Sequence, residues 1–218
     1  MGEPGVAAYR AYLESARVSG GKNGAVVVNC NPFTLGHRFL IERAADSCDW
    51  LFVIVVETDL SLFPFKDRYA LVREGTSHLP NVTVLKSDAY AVSPATFPTY
   101  FLRDKNSEET ASIQAKLDVT LFANLFVPAL DIRVRFVGTE PYCEVTEAYN
   151  EAMKAILPGR GVELFEIPRY ALEDGTIVSA STVRERIRAR DWQSVRRLVP
   201  DVTWNYLNSP EAAAVIAR

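Results

Sequence analysis

The stretch that decides the fold runs from Ala25 to His37 and reads AVVVNCNPFTLGH. Its first four residues form a short, continuous apolar run, which is typical of a strand buried on both faces of a parallel sheet. A helix is predicted from about Leu35 to Ala45, with Phe39 on its apolar face. The loop between strand and helix therefore turns its backbone N–H groups toward any anion held at the helix N-terminus.

The rest of the chain repeats this alternation of apolar runs and helical patterns. After the strand at 25–28, further strands are predicted at 51–56, 82–85, 132–137 and 162–167. Helices are predicted at 66–78, 112–126 and 145–157, and from residue 181 onward. The expected fold class is α/β, a Rossmann-like, doubly wound, five-stranded parallel sheet. In such sheets ligands bind beyond the carboxyl ends of the strands, near the switch point.

Two segments lie outside this alternation. Residues 1–23 are predicted to form an N-terminal helix, from Ala7 to Arg17, and a glycine-rich linker, which leaves 24–218 as the main domain. The stretch from Ser87 to Ser107 is rich in proline and aromatic residues, and we interpret it as a long, partly ordered insertion. Its aromatic side chains are suited either to covering a ligand or to filling the core.

Composition and charge exclude several classes of protein. The 218 residues are 48% apolar and carry 24 basic against 27 acidic residues, a formal net charge of −3. Wholesale nucleic-acid binding, which needs a basic surface, is therefore not expected. Cys30, Cys48 and Cys143 form no C-x-x-C pair, which argues against a zinc site or a disulfide framework and favours the reducing cytoplasm. No apolar run reaches the length of a membrane span, so no membrane partner is expected.

The loop after the first strand carries candidate chemistry in the tetrad T-x-G-H, Thr34 to His37. Gly36 allows a phosphate to approach the backbone closely, since no Cβ is in the way. The His37 imidazole can donate a hydrogen bond to a phosphoryl oxygen as charge builds in a transition state. The alternative is a surface histidine after a proline-containing turn. The other loop residues expected to contact the ligand are Asn29, Asn31 and Phe33.

A second candidate motif reads VSASTVR, from Val178 to Arg184. Its hydroxyl residues Ser179, Ser181 and Thr182 can cap a helix and leave N–H groups free for an anion, and Thr182 with Glu185 fits a capping box. Arg184 near a helix N-terminus opposes the macrodipole, so it favours a bound counterion such as a phosphate tail. The alternative is an ordinary capped helix with a solvated basic face.

The loop after the fourth strand, Gly138-Thr139-Glu140, lies at the expected switch point of the sheet. It is predicted to line a nucleotide pocket, with Gly138 permitting close approach.

The two motifs together resemble the signatures of the nucleotidylyl-transferase superfamily, some of whose members also have Thr in place of the first His of H-x-G-H. Longer matches resemble one branch of it, the citrate lyase ligases. They are N-x-N-P-F-T-x-G-H at 29–37, F-P-F-x-D-R at 63–68, A-T-F-P-x-Y-F at 95–101, R-F-V-G-T-E-P at 135–141 and V-S-A-S-x-V-R at 178–184. The similarity runs from about residue 24 to residue 207, and motifs of this length seldom arise by chance.

The resemblance implies an ATP-dependent acid–thiol ligase, with 24–218 as its catalytic domain. Such enzymes use ATP and acetate to acetylate the thiol of the phosphoribosyl-dephospho-CoA group on the citrate lyase acyl carrier protein, and they release AMP and pyrophosphate. Mg²⁺ is expected to accompany ATP, although no protein ligand for it can be named. The resemblance implies Thr34 and His37 at the α-phosphate, Ser179, Ser181, Thr182 and Arg184 at the β,γ end, and Arg68 reaching a phosphate from the second helix.

Two alternatives stay open from the sequence. One is an adenylyltransferase that joins AMP to a phosphate-bearing acceptor such as phosphopantetheine. The other is a nucleotide- or CoA-binding module without turnover. Members of the resembling family carry an additional N-terminal acetyltransferase-like domain, for which these 218 residues have no room, so the substrate is less firmly implied than the use of ATP.

Overall fold

The computed structural model describes residues 5–58, 60–100, 108–139 and 144–217. Its centre is one five-stranded sheet in the order β3-β2-β1-β4-β5, and every neighbouring pair is parallel. The strands are β1 (Asn23–Val28), β2 (Trp50–Val55), β3 (Val82–Lys86), β4 (Ile132–Gly138) and β5 (Glu163–Ile167). The predicted α/β fold with a doubly wound, five-stranded parallel sheet is confirmed, and its switch point lies between β1 and β4.

Helices connect the strands and close the described chain. They are α1 (Val6–Ser15), α2 (Leu35–Asp46), α3 (Phe65–Gly75), α4 (Glu108–Leu130), α5 (Glu144–Ile156), α6 (Ala180–Arg188), α7 (Trp192–Leu198), α8 (Asp201–Leu207) and α9 (Pro210–Ile216). Short 3₁₀ turns lie at Asp88–Tyr90, Pro98–Tyr100 and Pro158–Arg160.

The central strand β1 is buried on both faces, as its apolar run predicts. Ala25 packs into a cluster with α1, α4 and α5 on one face, while Val26 and Val28 pack with α2 and α3 on the other. Successive side chains of a strand point to opposite faces, so a short strand buried on both faces reads as one continuous apolar run.

The N-terminal helix α1 packs as part of this core. Tyr9 and Leu13 are buried in the same cluster as Phe126 of α4, and the Tyr9 hydroxyl donates a hydrogen bond of 2.7 Å to the Lys86 carbonyl. Strand β1 begins at Asn23, whose side-chain amide donates to the carbonyls of residues 18 and 130. The division into 1–23 and 24–218 stays a prediction, and α1 contacts the main domain closely.

The proline-rich insertion is largely packed where the structure describes it. Ala91, Phe97 and Thr99 are buried, and the Phe97 ring stacks on Tyr149 of α5 with 5.5 Å between centroids. Phe101 and the residues up to 107 lie outside the described residues. The aromatic side chain of Phe97 therefore fills the core beside α5.

Among the described residues, one helix, α4, is long and apolar enough to span a membrane by length and composition. The window Glu109–Leu130 has a mean hydropathy of 1.2, although Lys116 and Asp118 interrupt its apolar residues, so it is not a continuous apolar run. Half of that window is buried within the protein, where Phe122 and Phe126 pack in the core. A helix of the protein core can have the same length and hydropathy as a membrane-spanning helix.

The C-terminal helices place the second motif against the first. Val178, Val183 and residues of α7 to α9 form a third apolar cluster together with Phe63, which precedes α3. The Thr203 hydroxyl of α8 donates 2.8 Å to the carbonyl of Phe33 in the loop after β1. Packing of α6 to α9 thereby fixes the position of the second motif beside the loop.

Candidate active site

The two predicted motifs meet at the start of α2 and α6. A Cβ placed on Gly36 would lie 2.8 Å from the Val178 carbonyl oxygen, closer than real Cβ contacts allow. The Arg184 guanidinium donates from Nη1 to the Asn31 carbonyl at 2.5 Å. A glycine at position 36 is therefore needed for the close packing of the two motifs. This requirement cannot be read from the residues around Gly36 alone.

Thr34 and His37 form a reciprocal cap at the N-terminus of α2. The Thr34 side chain accepts from the His37 backbone N–H, and His37 Nδ1 lies 3.1 Å from the Thr34 backbone nitrogen and 2.9 Å from its hydroxyl. Because a backbone N–H can only donate, Nδ1 must be an acceptor and the neutral ring carries its proton on Nε2. The cap therefore fixes the imidazole as an Nε2–H donor.

The charge state of His37 is set by its surroundings. Desolvation lowers its pKa to about 4, and the positive charges of Arg184 and Arg169 lower it in the same direction. The ring is therefore neutral near pH 7, and a neutral imidazole can donate a hydrogen bond without holding a buried charge.

A titration of His37 tests this assignment. We expect NMR to place its pKa near 4, and Arg184→Gln to raise it because a neighbouring positive charge is removed. Since the unfolded chain has a pKa of about 6.5 at this residue, it binds the proton first as the pH falls. The contribution of neutral His37 to stability is therefore complete above about pH 6.5 and is lost progressively down to about pH 4.

The chain has two histidines, so His78→Gln assigns the resonances without ambiguity. A His37 pKa at or above the ordinary value, or one that Arg184→Gln leaves unmoved, would contradict the assignment.

The start of α6 is organised around Ser179. Its hydroxyl accepts from the Thr182 backbone N–H at 3.0 Å, so Ser179 is the N-cap and the capping box predicted from Thr182 and Glu185 is wrong. Thr182 lies one turn inside the helix, and its hydroxyl is 2.9 Å from that of Ser179. Ser181 accepts from Arg184 Nη2 at 3.0 Å. The three hydroxyls and the guanidinium that the sequence singles out therefore lie together.

The predicted phosphate ligand Arg68 occupies a different environment. It is fully buried, and Nη1 donates to both the backbone carbonyl and the side-chain oxygen of Asn29 at 2.7 and 2.9 Å. Nε and the terminal nitrogens also donate to the carbonyls of Phe63, Val56 and Thr58. These contacts tie the loops after β1 and β2 together, and the role of Arg68 at a phosphate stays a prediction.

Three further loop residues also have structural partners. Asn31 Oδ1 accepts from the Phe63 backbone N–H at 3.0 Å, and Asn29 Oδ1 accepts from Ser61 at 3.2 Å. Phe33 is fully buried against Gly75, and its predicted contact with a ligand stays a prediction. Asn29 also lines the cavity described below, which keeps it beside the candidate site.

Arg169 follows β5 and connects the loop after β4 to the site, although no motif in the sequence includes it. Arg169 Nε donates 2.8 Å to the Thr139 carbonyl, and its charge reaches His37. Gly138 ends the strand with open space where a Cβ would be. Glu140 lies outside the described residues. The signal available in the sequence was the position of Arg169 just past the carboxyl end of β5.

A cavity of about 220 Å³ lies at the carboxyl ends of β1 and β4. Asn29 and Gly138 lie at this edge, and Arg135 and Tyr149 line the cavity from strand β4 and helix α5. Arg135 is the first residue of the motif at 135–141, and no motif in the sequence includes Tyr149. Both are buried polar groups, which residue type alone does not reveal.

Among the residues that the structure describes, no group of three or more His, Cys, Asp or Glu side chains is placed to hold a metal ion.

The parallel sheet and the two apposed helix starts define the class of protein. The chain has a nucleotidylyl-transferase-type fold: it is similar to TmcAL from Thermotoga maritima, solved bound with alpha-thio ATP, with a TM-score of 0.55 and 14% identity. The match covers 85% of this chain and 55% of that one. At this identity the likeness shows the fold alone.

The chain belongs to the citrate lyase ligase C-terminal domain family, whose sequence profile matches residues 23–207. It is 44% identical over 203 residues to a citrate lyase ligase of Klebsiella pneumoniae, covering 91% of this chain and 58% of the relative. A citrate lyase ligase of Escherichia coli K12 is 40% identical over 206 residues, with 92% and 58% covered. The family resemblance is confirmed, and the chain spans somewhat more than half the length of these relatives.

Proposed function

We propose that this chain activates acetate with ATP and transfers the acetyl group to the thiol of the phosphoribosyl-dephospho-CoA group on the citrate lyase acyl carrier protein. The observation that carries the proposal is the contact between the two motifs, through Gly36 with Val178 and Arg184 with Asn31, in a member of this family. A cytoplasmic location belongs to the same proposal and is consistent with the free thiols of Cys30 and Cys48.

The first step is an in-line displacement at the α-phosphorus. An acetate oxygen forms a P–O bond as the P–O bond to the pyrophosphate leaving group breaks, which gives acetyl-AMP. His37 Nε2–H and the start of α2 would stabilise the charge that builds on the α-phosphoryl oxygens. Thr34 supports this by holding the imidazole in the required tautomer.

The leaving pyrophosphate would lie at the start of α6. There Arg184 supplies a permanent positive charge, and Ser179, Ser181 and Thr182 supply hydroxyl groups. The predicted contact of Gly138, Thr139 and Glu140 with the nucleotide belongs to the same proposal. Since the described residues offer no cluster of metal ligands, Mg²⁺ would be held mainly by the triphosphate and water, as is usual for this ion.

The second step transfers the acetyl group. The thiol sulfur bonds to the acetyl carbon, the C–O bond to AMP breaks, and the thiol proton is lost. No covalent bond to the protein is required. Positioning and charge stabilisation would therefore account for the catalysis.

Isotope exchange tests the proposed function. If acetyl-AMP forms before a thiol is needed, acetate alone should support exchange of labelled pyrophosphate into ATP. An adenylyltransferase would instead require phosphopantetheine and ignore acetate. A buried methyl group contributes only about 1 kcal/mol, so selection against longer acids must come from steric exclusion. We expect exchange with acetate and propionate and none with longer acids.

The matched arms of the experiment are acetate, phosphopantetheine and no acceptor, each with the same purified chain. Exchange that depends on phosphopantetheine and ignores acetate would support the adenylyltransferase alternative. ATP binding without exchange in any arm would support the non-catalytic module.

A further inference from the structure

The cavity beside the proposed ATP site is small and chemically mixed. It lies between the sheet, helix α5 and the 3₁₀ turn at Pro98–Tyr100. Its apolar lining includes Val27, Phe97 and Met153. Its volume of about 220 Å³ is below the roughly 300–1,000 Å³ typical of pockets for larger organic ligands. At about 30 Å³ per water molecule, it can hold a small acid with a few waters.

The wall of this cavity contains a buried cation, Arg135. Its side chain is 2% exposed, and among the described residues Nε and Nη1 have no hydrogen-bond partner. The guanidinium lies over the Phe122 ring, 4.6 Å from its centroid. A cation–π contact is an electrostatic attraction to the ring and supplies no hydrogen-bond acceptor in the plane of the N–H groups. The contact with Phe122 therefore leaves Nε and Nη1 of a buried cation without an acceptor.

Asp118, a buried acid, does not accept a hydrogen bond from Nε or Nη1 of Arg135. Asp118 accepts from the Tyr149 hydroxyl at 2.8 Å, from Thr96 at 2.6 Å and from the Val92 backbone N–H at 2.8 Å. Asp118 attracts Arg135 by charge, and among the described residues neither Nε nor Nη1 of Arg135 has a hydrogen-bond partner. Buried charges are ordinarily paired, so the arrangement lacks an anion at Arg135.

We propose that Arg135 anchors the carboxylate of the acid substrate, and that this cavity is the subsite for a small aliphatic acid. The inference rests on the proposed function and adds the residue that recognises the acid. A guanidinium pairs with a carboxylate through parallel hydrogen bonds. The apolar lining receives the short alkyl group, while Asn29 and Gly138 mark the edge at which the acid meets the ATP site.

The strand itself supplies a matched control. Arg133 lies two residues before Arg135 on β4, where the pairing with β1 shifts register, and it is exposed and pairs with Asp131 at 2.7 Å. Arg133→Gln therefore removes one positive charge from the same strand without touching the cavity. Arg135→Gln makes the same chemical change inside it.

The test is binding of ¹³C-labelled acetate, followed by NMR titration of the whole chain with and without α,β-methylene-ATP. We expect the wild type and Arg133→Gln to bind acetate alike, and Arg135→Gln to bind it about tenfold or more weakly, since a charge-assisted pair is lost. Acetamide, which has the same shape without the charge, should bind weakly to all three. Binding of the ATP analogue, measured in parallel, should be unchanged.

A second variant covers the case in which Arg135→Gln fails to fold. Arg135→Lys keeps the charge and loses the planar fork, so it should also weaken acetate while retaining the ATP analogue. Acetate affinity that survives in either folded variant, or equal binding of acetamide, would overturn the subsite. If the folded variants keep their acetate-driven exchange at unchanged acetate KM, the subsite fails and the proposed function stands. If acetate binding depends on Arg135 but acetate supports no exchange in the wild type, the subsite stands and the proposed function fails.

Discussion

His37→Ala should release pyrophosphate from ATP on the order of 10²–10³ times more slowly than the wild type, with the fold retained. This is the loss expected when one preorganised donor to a developing oxyanion is removed. The structure makes the donor specific: Nδ1 is held by the Thr34 cap, so Nε2–H is the group free to reach a phosphate. The measurement is acetate-dependent pyrophosphate release under saturating ATP.

The matched control is His78→Ala, which removes the other histidine from an exposed position paired with Glu42. Circular dichroism and the thermal midpoint should show that both variants are folded. His37→Ala also removes half of a helix cap, which costs about 1 kcal/mol of stability and leaves the chain folded. Near-normal turnover in folded His37→Ala would remove His37 from the chemistry.

The parts of the fold that local pattern controls were predictable. The run at Ala25 to Val28 is apolar because that strand is buried on both faces, and Thr34 and His37 lie where a strand gives way to a helix. Periods of two and 3.6 residues, and the residues that end them, are properties of the sequence itself. The sheet and the two helix starts followed from these patterns.

Residue type did not reveal which polar side chains are buried. Arg133 and Arg135 are two residues apart on β4, yet Arg133 is exposed and Arg135 lies beneath α4 and α5. The pairing of β4 with β1 shifts register at Arg133, and distant helices cover Arg135. No local period encodes either feature. The same limit concealed Asp118 and Tyr149, whose hydrogen bond joins α4 to α5.

Helix caps show a second limit. Ser179 and Thr182 are both of residue types that are common at an N-cap. Which of them caps the helix depends on where the chain leaves the extended conformation. That point is set by contacts such as Gly36 with the Val178 carbonyl, which come from the other motif. The sequence therefore identified the motif correctly and misplaced its cap.

The same reasoning gives the largest expected effect on stability, at Arg68. Its guanidinium is buried and donates to the carbonyls of Asn29, Phe63, Val56 and Thr58. Arg68→Ala would leave several of these acceptors buried and unpaired, at about 1–3 kcal/mol each before relaxation. We expect the free energy of unfolding in urea to fall by on the order of 3–5 kcal/mol, a large part of the 5–15 kcal/mol typical of a domain.

Arg73→Ala, an exposed change on the same helix α3, should stay within about 0.5 kcal/mol of the wild type. Arg68→Lys should recover little, because one ammonium group cannot reach acceptors arranged around a planar fork. The experiment also decides between the two roles considered for this residue. If the role of Arg68 is structural, Arg68→Ala lowers the free energy of unfolding, and ATP affinity falls only because the loops after β1 and β2 become less ordered. If Arg68→Ala instead unfolded like the wild type while its ATP affinity fell severalfold, Arg68 would be a phosphate ligand as the family resemblance implied.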